Sequence, residues 1–151
     1  MKIRFLLLCI IATCSVNLFA QEASITKIRE SYEQVQERIA EDYYTPIVAT
    51  YAINRAVIGT TFTTVKIYRN NMEAETYDDV NNPGEYIVKR ILYYVTVEYN
   101  IAASVKYHIE YLYNDKAELI FCFYQEVSGY DNLFKEIRFY YDSNKLIKYS
   151  D

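Results

Sequence analysis

The chain has 151 residues, with 16 Lys and Arg against 20 Asp and Glu, one histidine, 18 tyrosines and no tryptophan. The net charge of −4 makes nucleic acid a poor partner, because affinity there rests on neutralising phosphates with cations. A single histidine and three glycines leave no zinc-spaced cluster, no phosphate-cradling loop and no nucleophile elbow, so no metal or cofactor is expected.

Residues 1–20 read as a secretory signal. Lys2 and Arg4 precede the apolar run Phe5 to Ala12, and Leu18-Phe19-Ala20 stands before Gln21 as a cleavage site. The apolar run is too short to span roughly 30 Å of hydrocarbon, which argues against a membrane anchor. Acylation of Cys14 is the competing fate, but Ile11-Ala12-Thr13 fits it poorly, since small residues are expected just before a lipidated cysteine. Cleavage after Ala20 removes Lys2, Arg4, Cys9 and Cys14, so the remaining single domain, 21–151, is more acidic and keeps Cys122 alone. It is then expected to have no transmembrane segment and no disulfide framework, and to depend on its core.

Ser24 to about Tyr43 is expected to be a helix, with Ser24 as its cap. Ile25, Ile28, Tyr32, Val35 and Ile39 recur at spacings of three and four and share one face. Pro46 disfavours helix at Thr45, so the helix should stop near there. Residues 51–58 fit either a short helix or a strand. Thr60 to Arg69, rich in threonine and β-branched residues, predicts a strand. Asn70 to Gly84 predicts an acidic loop ending in the turn signal Asn81-Asn82-Pro83-Gly84. Its carboxylates suit calcium chemically, but their spacing matches no calcium loop.

Strands follow near 85–99, 104–114, 117–127, 133–142 and 145–149, with turns at Asn114-Asp115, Ser128 to Asn132 and Asp142 to Asn144. Short links between consecutive strands predict hairpins. The expected fold is α+β: an N-terminal helix on a twisted antiparallel meander of five to six strands. A similar strand–turn–strand pattern at Ile109 to Ile120 and Ile137 to Ile147 is what successive hairpins of a meander give.

The segments Ile28-Arg29-Glu30-Ser31-Tyr32, Glu98 to Ala103 and Tyr111 to Phe123, behind a signal ending in Phe-Ala-Gln, resemble small exported helix-plus-antiparallel-sheet proteins of gut Bacteroidetes. That resemblance implies export and this fold, and carries no catalytic residue with it.

Period-two alternation sorts the sheet into two faces. Without bulges, the odd positions between 90 and 141 include Tyr93, Val95, Val97, Tyr99, Tyr107, Ile109, Tyr111, Phe121, Phe123 and Phe139. This apolar set is expected to lie under the helix. The even positions include Tyr94, Glu98, His108, Glu110, Cys122, Tyr124 and Tyr140, and are expected to face water. A one-residue bulge reverses part of this sorting.

His108 lacks a neighbouring nucleophile in sequence, and Cys122 sits among carboxylates, which oppose a reactive thiolate. Paired carboxylates on the even face match what glycoside hydrolysis requires, but so small a domain has no loops to build a cleft around them. Tyr94, Tyr124 and Tyr140, with His108, are the candidate binding residues, for an unidentified protein or glycan. The sequence thus suggests an exported, non-enzymatic accessory or interaction protein that binds through an exposed sheet face or edge. A small carbohydrate-binding module and a small hydrolase are the alternatives. An unpaired edge also invites a homodimer.

Overall fold

The computed structural model describes residues 2–56, 59–71, 75–76, 86–87, 90–101, 104–129 and 133–151. Helix α1 (Lys2–Ala40) leads into nine strands: β1 (Ile47–Arg55), β2 (Gly59–Asn71), β3 (Glu75–Thr76), β4 (Tyr86–Ile87), β5 (Arg90–Ile101), β6 (Val105–Tyr113), β7 (Leu119–Ser128), β8 (Leu133–Asp142) and β9 (Lys145–Ser150). The helix-plus-antiparallel-sheet class is as expected, but the main sheet has seven strands in the order β1-β2-β5-β6-β7-β8-β9. The extra strand comes from residues 51–58, whose first part belongs to β1. Strands β3 and β4 form a separate two-stranded pair inserted between β2 and β5. The predicted turn at Asn81 to Gly84 and most of the acidic segment lie outside the described residues. Among those described, no helix is long and apolar enough to cross a membrane.

Helix α1 runs through Ser24, so that residue is not its cap. The helix ends before Pro46, and its terminator is Asp42, whose φ of 56° turns the chain left-handed. Tyr43 N–H donates to Arg38 C=O at 2.9 Å and Asp42 N–H to Ile39 C=O at 3.1 Å, satisfying the last carbonyls of the helix. Between β6 and β7, the Asn114 side-chain oxygen accepts the N–H groups of Lys116 and Glu118, while Ala117 takes a φ of 61°. Ser143 and Asn144 both have positive φ, the geometry of a two-residue hairpin between β8 and β9.

The register reveals two kinds of row across the sheet. On the helix side lies Tyr68-Tyr94-Leu112-Phe121-Tyr140-Lys148, then Lys66-Thr96-Glu110-Phe123-Arg138-Ser150, then Thr64-Glu98-His108-Gln125-Glu136. On the opposite side lies Ile47-Ile67-Val95-Tyr111-Cys122-Phe139-Tyr149, then Ala49-Val65-Val97-Ile109-Tyr124-Ile137.

On β5, β6 and β8 the helix therefore covers the even-numbered side expected to face water, and that assignment is corrected; on β7 it covers the odd-numbered Phe121 and Phe123, as expected. Ile25, Ile28 and Val35 of the helix are buried with Tyr68, Tyr94, Leu112, Phe121, Phe123 and Tyr140. A register break explains why β7 departs from its neighbours. Shifts at Tyr68/Arg69, Leu112/Tyr113 and Tyr140/Tyr141 leave Tyr93, Ile120 and Ile147 as extra residues, and all three pack against this core. A bulge directs two successive side chains to one side, so the bulge at Ile120 puts the odd-numbered Phe121 and Phe123 beside even-numbered Leu112 and Tyr140.

Candidate functional site

The helix crosses only one end of its side of the sheet. At that end, tyrosine hydroxyls meet polar groups of the helix: Arg29 Nε donates to Tyr140 Oη at 3.3 Å, and Gln36 Nε2 to Tyr94 Oη at 2.7 Å. Buried rings with satisfied hydroxyls are what tyrosine is suited to. Tyr32 packs against Phe121 with ring centroids 5.0 Å apart, and its hydroxyl donates to Glu110 Oε2 at 2.6 Å.

Glu110 stands at the boundary between the covered and open halves of this face. Its side chain is only 10 % exposed, and its other oxygen lies 2.6 Å from His108 Nε2. The carboxylate is thus held from the helix by a phenol and from the sheet by an imidazole. His108 Nδ1 lies 3.6 Å from Glu98 Oε1, an ion-pair distance too long for a hydrogen bond. With Nε2 engaged by Glu110, Nδ1 is the ring nitrogen turned toward the more exposed Glu98.

Beyond the helix this floor opens into a groove of about 640 Å³, lined by Phe62, Thr64, Glu98, Asn100, His108 and Gln125 among others. Lys106 and Val127 lie opposite one another on the next row out, and Asn100 pairs with Lys106. Asn100 Oδ1 also accepts the Phe62 N–H at 2.9 Å, tying β5 to β2 at the groove wall. The groove thus offers carboxylate, amide, imidazole and ammonium groups beside an exposed phenyl ring.

Burial, followed by the nearby Glu110, pushes the Tyr32 and Tyr94 phenols far above their ordinary range, so both stay protonated as donors. Burial likewise pushes Cys122 up to about 11, with Glu110 adding to the rise. Cys122 points away from the helix, between Tyr111 and Phe139 on neighbouring strands, and is a packing thiol. Among the described residues, no group of three or more potential metal ligands is assembled.

The proposed binding tyrosines do not form a site together. Tyr94 and Tyr140 are 2 % and 3 % exposed beneath the helix, while Tyr124 stands on the opposite face. Tyr124 instead donates to Glu126 Oε2 at 2.8 Å. These three rings therefore make no row of the kind a carbohydrate platform requires. Of the four candidates, His108 alone reaches the groove. Sequence reasoning places His108 near Glu110 and across from Thr96 or Glu98 without making them a site, and it passes over Tyr32. The signal is the alternation Glu98, His108, Glu110, which strand pairing converts into one contiguous cluster. No protein-family model, curated protein or solved structure matches this chain.

Proposed function

We propose that this is an exported, non-enzymatic binding protein that takes a polar ligand in the groove beside His108. The observation that carries the reading is the groove itself. Its volume lies within the range of roughly 300–1,000 Å³ usual for small-ligand sites, and its polar groups come from neighbouring strands of one sheet. A sheet holds such groups in fixed relative positions, so little ordering is needed on binding. The mixture of amide, carboxylate and ammonium groups with an exposed ring suits a hydroxyl-rich ligand, such as a glycan unit, through hydrogen bonds and stacking.

Export rests on the basic, apolar and small-residue pattern of residues 1–20. The non-enzymatic reading rests on His108. Its Nε2 is taken by Glu110, its Nδ1 faces Glu98, and the aliphatic hydroxyl residue of the lining, Thr64, stands across from Glu98 and not across from His108. The test is a glycan-array screen followed by calorimetric titration of each hit against the native protein and Lys106→Ala/Gln125→Ala. Loss of at least tenfold in affinity in the variant supports the groove. Equal affinity in both, or an array without a hit, removes the glycan reading.

A further inference from the structure

We propose that the face of the sheet turned away from the helix is the contact surface between two copies of this chain. This goes beyond the groove reading, because it concerns the other side of the sheet.

The face is apolar to a degree that the helix side is not. The row from Ile47 to Tyr149 crosses all seven strands and the row from Ala49 to Ile137 crosses six, and neither carries a charge. The next row, Tyr51-Thr63-Tyr99-Tyr107-Glu126-Lys135, holds one carboxylate and one ammonium group. That carboxylate is already met from within the chain: Tyr124 donates to Oε2 at 2.8 Å and Tyr107 to Oε1 at 3.3 Å. A carboxylate with both oxygens engaged is prepared for a drier setting. Tyr99 and Tyr107 stack flat against each other, with centroids 4.6 Å apart and planes at 13°, which smooths the surface further. Both ends of the long row, Ile47 and Tyr149, are exposed.

Two arguments select a second copy as the occupant. The first is area. Seven strands at about 4.8 Å spacing, and about eight residues of length at about 3.3 Å each, give a face on the order of 800 Å². A standard stable interface needs about 800 Å² from each partner. The second is shape. Sheets pack face to face when their twists match, at about −30° between strand directions. A second copy supplies a sheet of identical twist and identical apolar character, and a two-fold contact requires such a self-complementary surface. With two rows free of charge, a highly charged partner finds nothing to pair with.

Cys122 lies in the long apolar row and reports on whether the face is covered. The experiment combines sedimentation equilibrium with the rate of Cys122 alkylation, both over a range of protein concentrations. A dimer whose dissociation on dilution raises the alkylation rate at least tenfold is the expected result. A monomer at every concentration overturns the proposal. Dissociation on dilution that leaves the Cys122 alkylation rate unchanged also overturns it, since the contact between copies then lies elsewhere. Ile109→Lys, at the centre of the face, is expected to abolish the dimer. Because that variant can also disturb folding, Tyr149→Lys on the exposed end of β9 is measured beside it, with circular dichroism as the folding control. It should weaken dimerisation at least fivefold with an unchanged spectrum. Unchanged dimerisation in Tyr149→Lys and a folded, still dimeric Ile109→Lys place the contact elsewhere.

Discussion

On the helix side, the sheet changes character along its strands. The row Tyr68-Tyr94-Leu112-Phe121-Tyr140 lies under α1, and two rows further along the same strands stand Thr64, Glu98, His108 and Gln125 at the mouth of a groove. On the other side the apolar character persists across two rows before Glu126 and Lys135 enter the third, and among the described residues no helix covers it. The difference shows how one helix can serve two ends. It buries rings at one end, and through Tyr32 it fixes Glu110 at the boundary, so that His108 is held where the floor becomes polar. On the opposite face the gradient is weaker: two rows carry no charge, and the third adds Lys135 and a Glu126 already met by Tyr107 and Tyr124. Two uncharged rows suit contact with another apolar surface better than selection of a small ligand.

The largest expected effect separates the two faces by stability. Leu112 is fully buried in the row beneath the helix, so Leu112→Ala should cost about 3–4 kcal/mol through lost burial and the cavity left behind. Ile109 lies on the helix-free face and is only partly buried. Ile109→Ala should cost the isolated chain about 1 kcal/mol. Urea unfolding at high dilution measures both, and equal costs would break the distinction between a covered and an open face.

Next in size comes the boundary cluster. Glu110→Gln replaces a buried acceptor of two hydrogen bonds with an amide that must turn its NH₂ toward one of the donors, at a cost of about 2 kcal/mol. Tyr32→Phe removes one donor and keeps the ring against Phe121, for about 1 kcal/mol. Glu98→Gln should stay within about 0.5 kcal/mol, because Glu98 is 54 % exposed and its contact with His108 is a long ion pair. Chemical unfolding of the three variants tests the ranking. A Glu98 effect as large as that of Glu110 would mean that the two carboxylates hold His108 equally.

Much of this architecture is legible in the sequence. The stripe Ile25, Ile28, Tyr32, Val35 and Ile39 identifies the helix, and the strands from 104 to 149 fall within a few residues of their expected limits. The faces are not legible, for two physical reasons. Period-two counting assumes an unbroken ladder, and the extra residue at Ile120 inverts β7 relative to β6. Counting along whole strands also averages an apolar end with a polar end, so the even-numbered set looks solvated although Tyr94, Leu112 and Tyr140 are core. The His108 cluster is half legible. Its spacing to Glu98 is set by pairing between β5 and β6, and nothing in the local sequence announces that Tyr32 of the helix completes it.

The smallest expected effect concerns Cys122 and runs through pH. Burial among Tyr111, Phe139 and neighbouring rings raises the folded thiol from its ordinary 9.0 to about 11, with Glu110 contributing further. A thiol harder to ionise in the folded state than in the unfolded state stabilises the fold while pH stays below 9.0, and that contribution fades as pH rises toward about 11. Tyrosines such as Tyr111 and Tyr141 are shifted upward as well, so they share in the alkaline decline. Cys122→Val keeps the packing volume and removes the ionisable group. It should change stability at neutral pH by less than about 1 kcal/mol. Between pH 9.0 and about 11 its stability should fall less steeply than that of the native protein. Unfolding curves across that interval measure the slope. Identical slopes would mean that the thiol ionises as easily in the folded chain as in the unfolded one, and that the helix-free face around it is as wet as the groove.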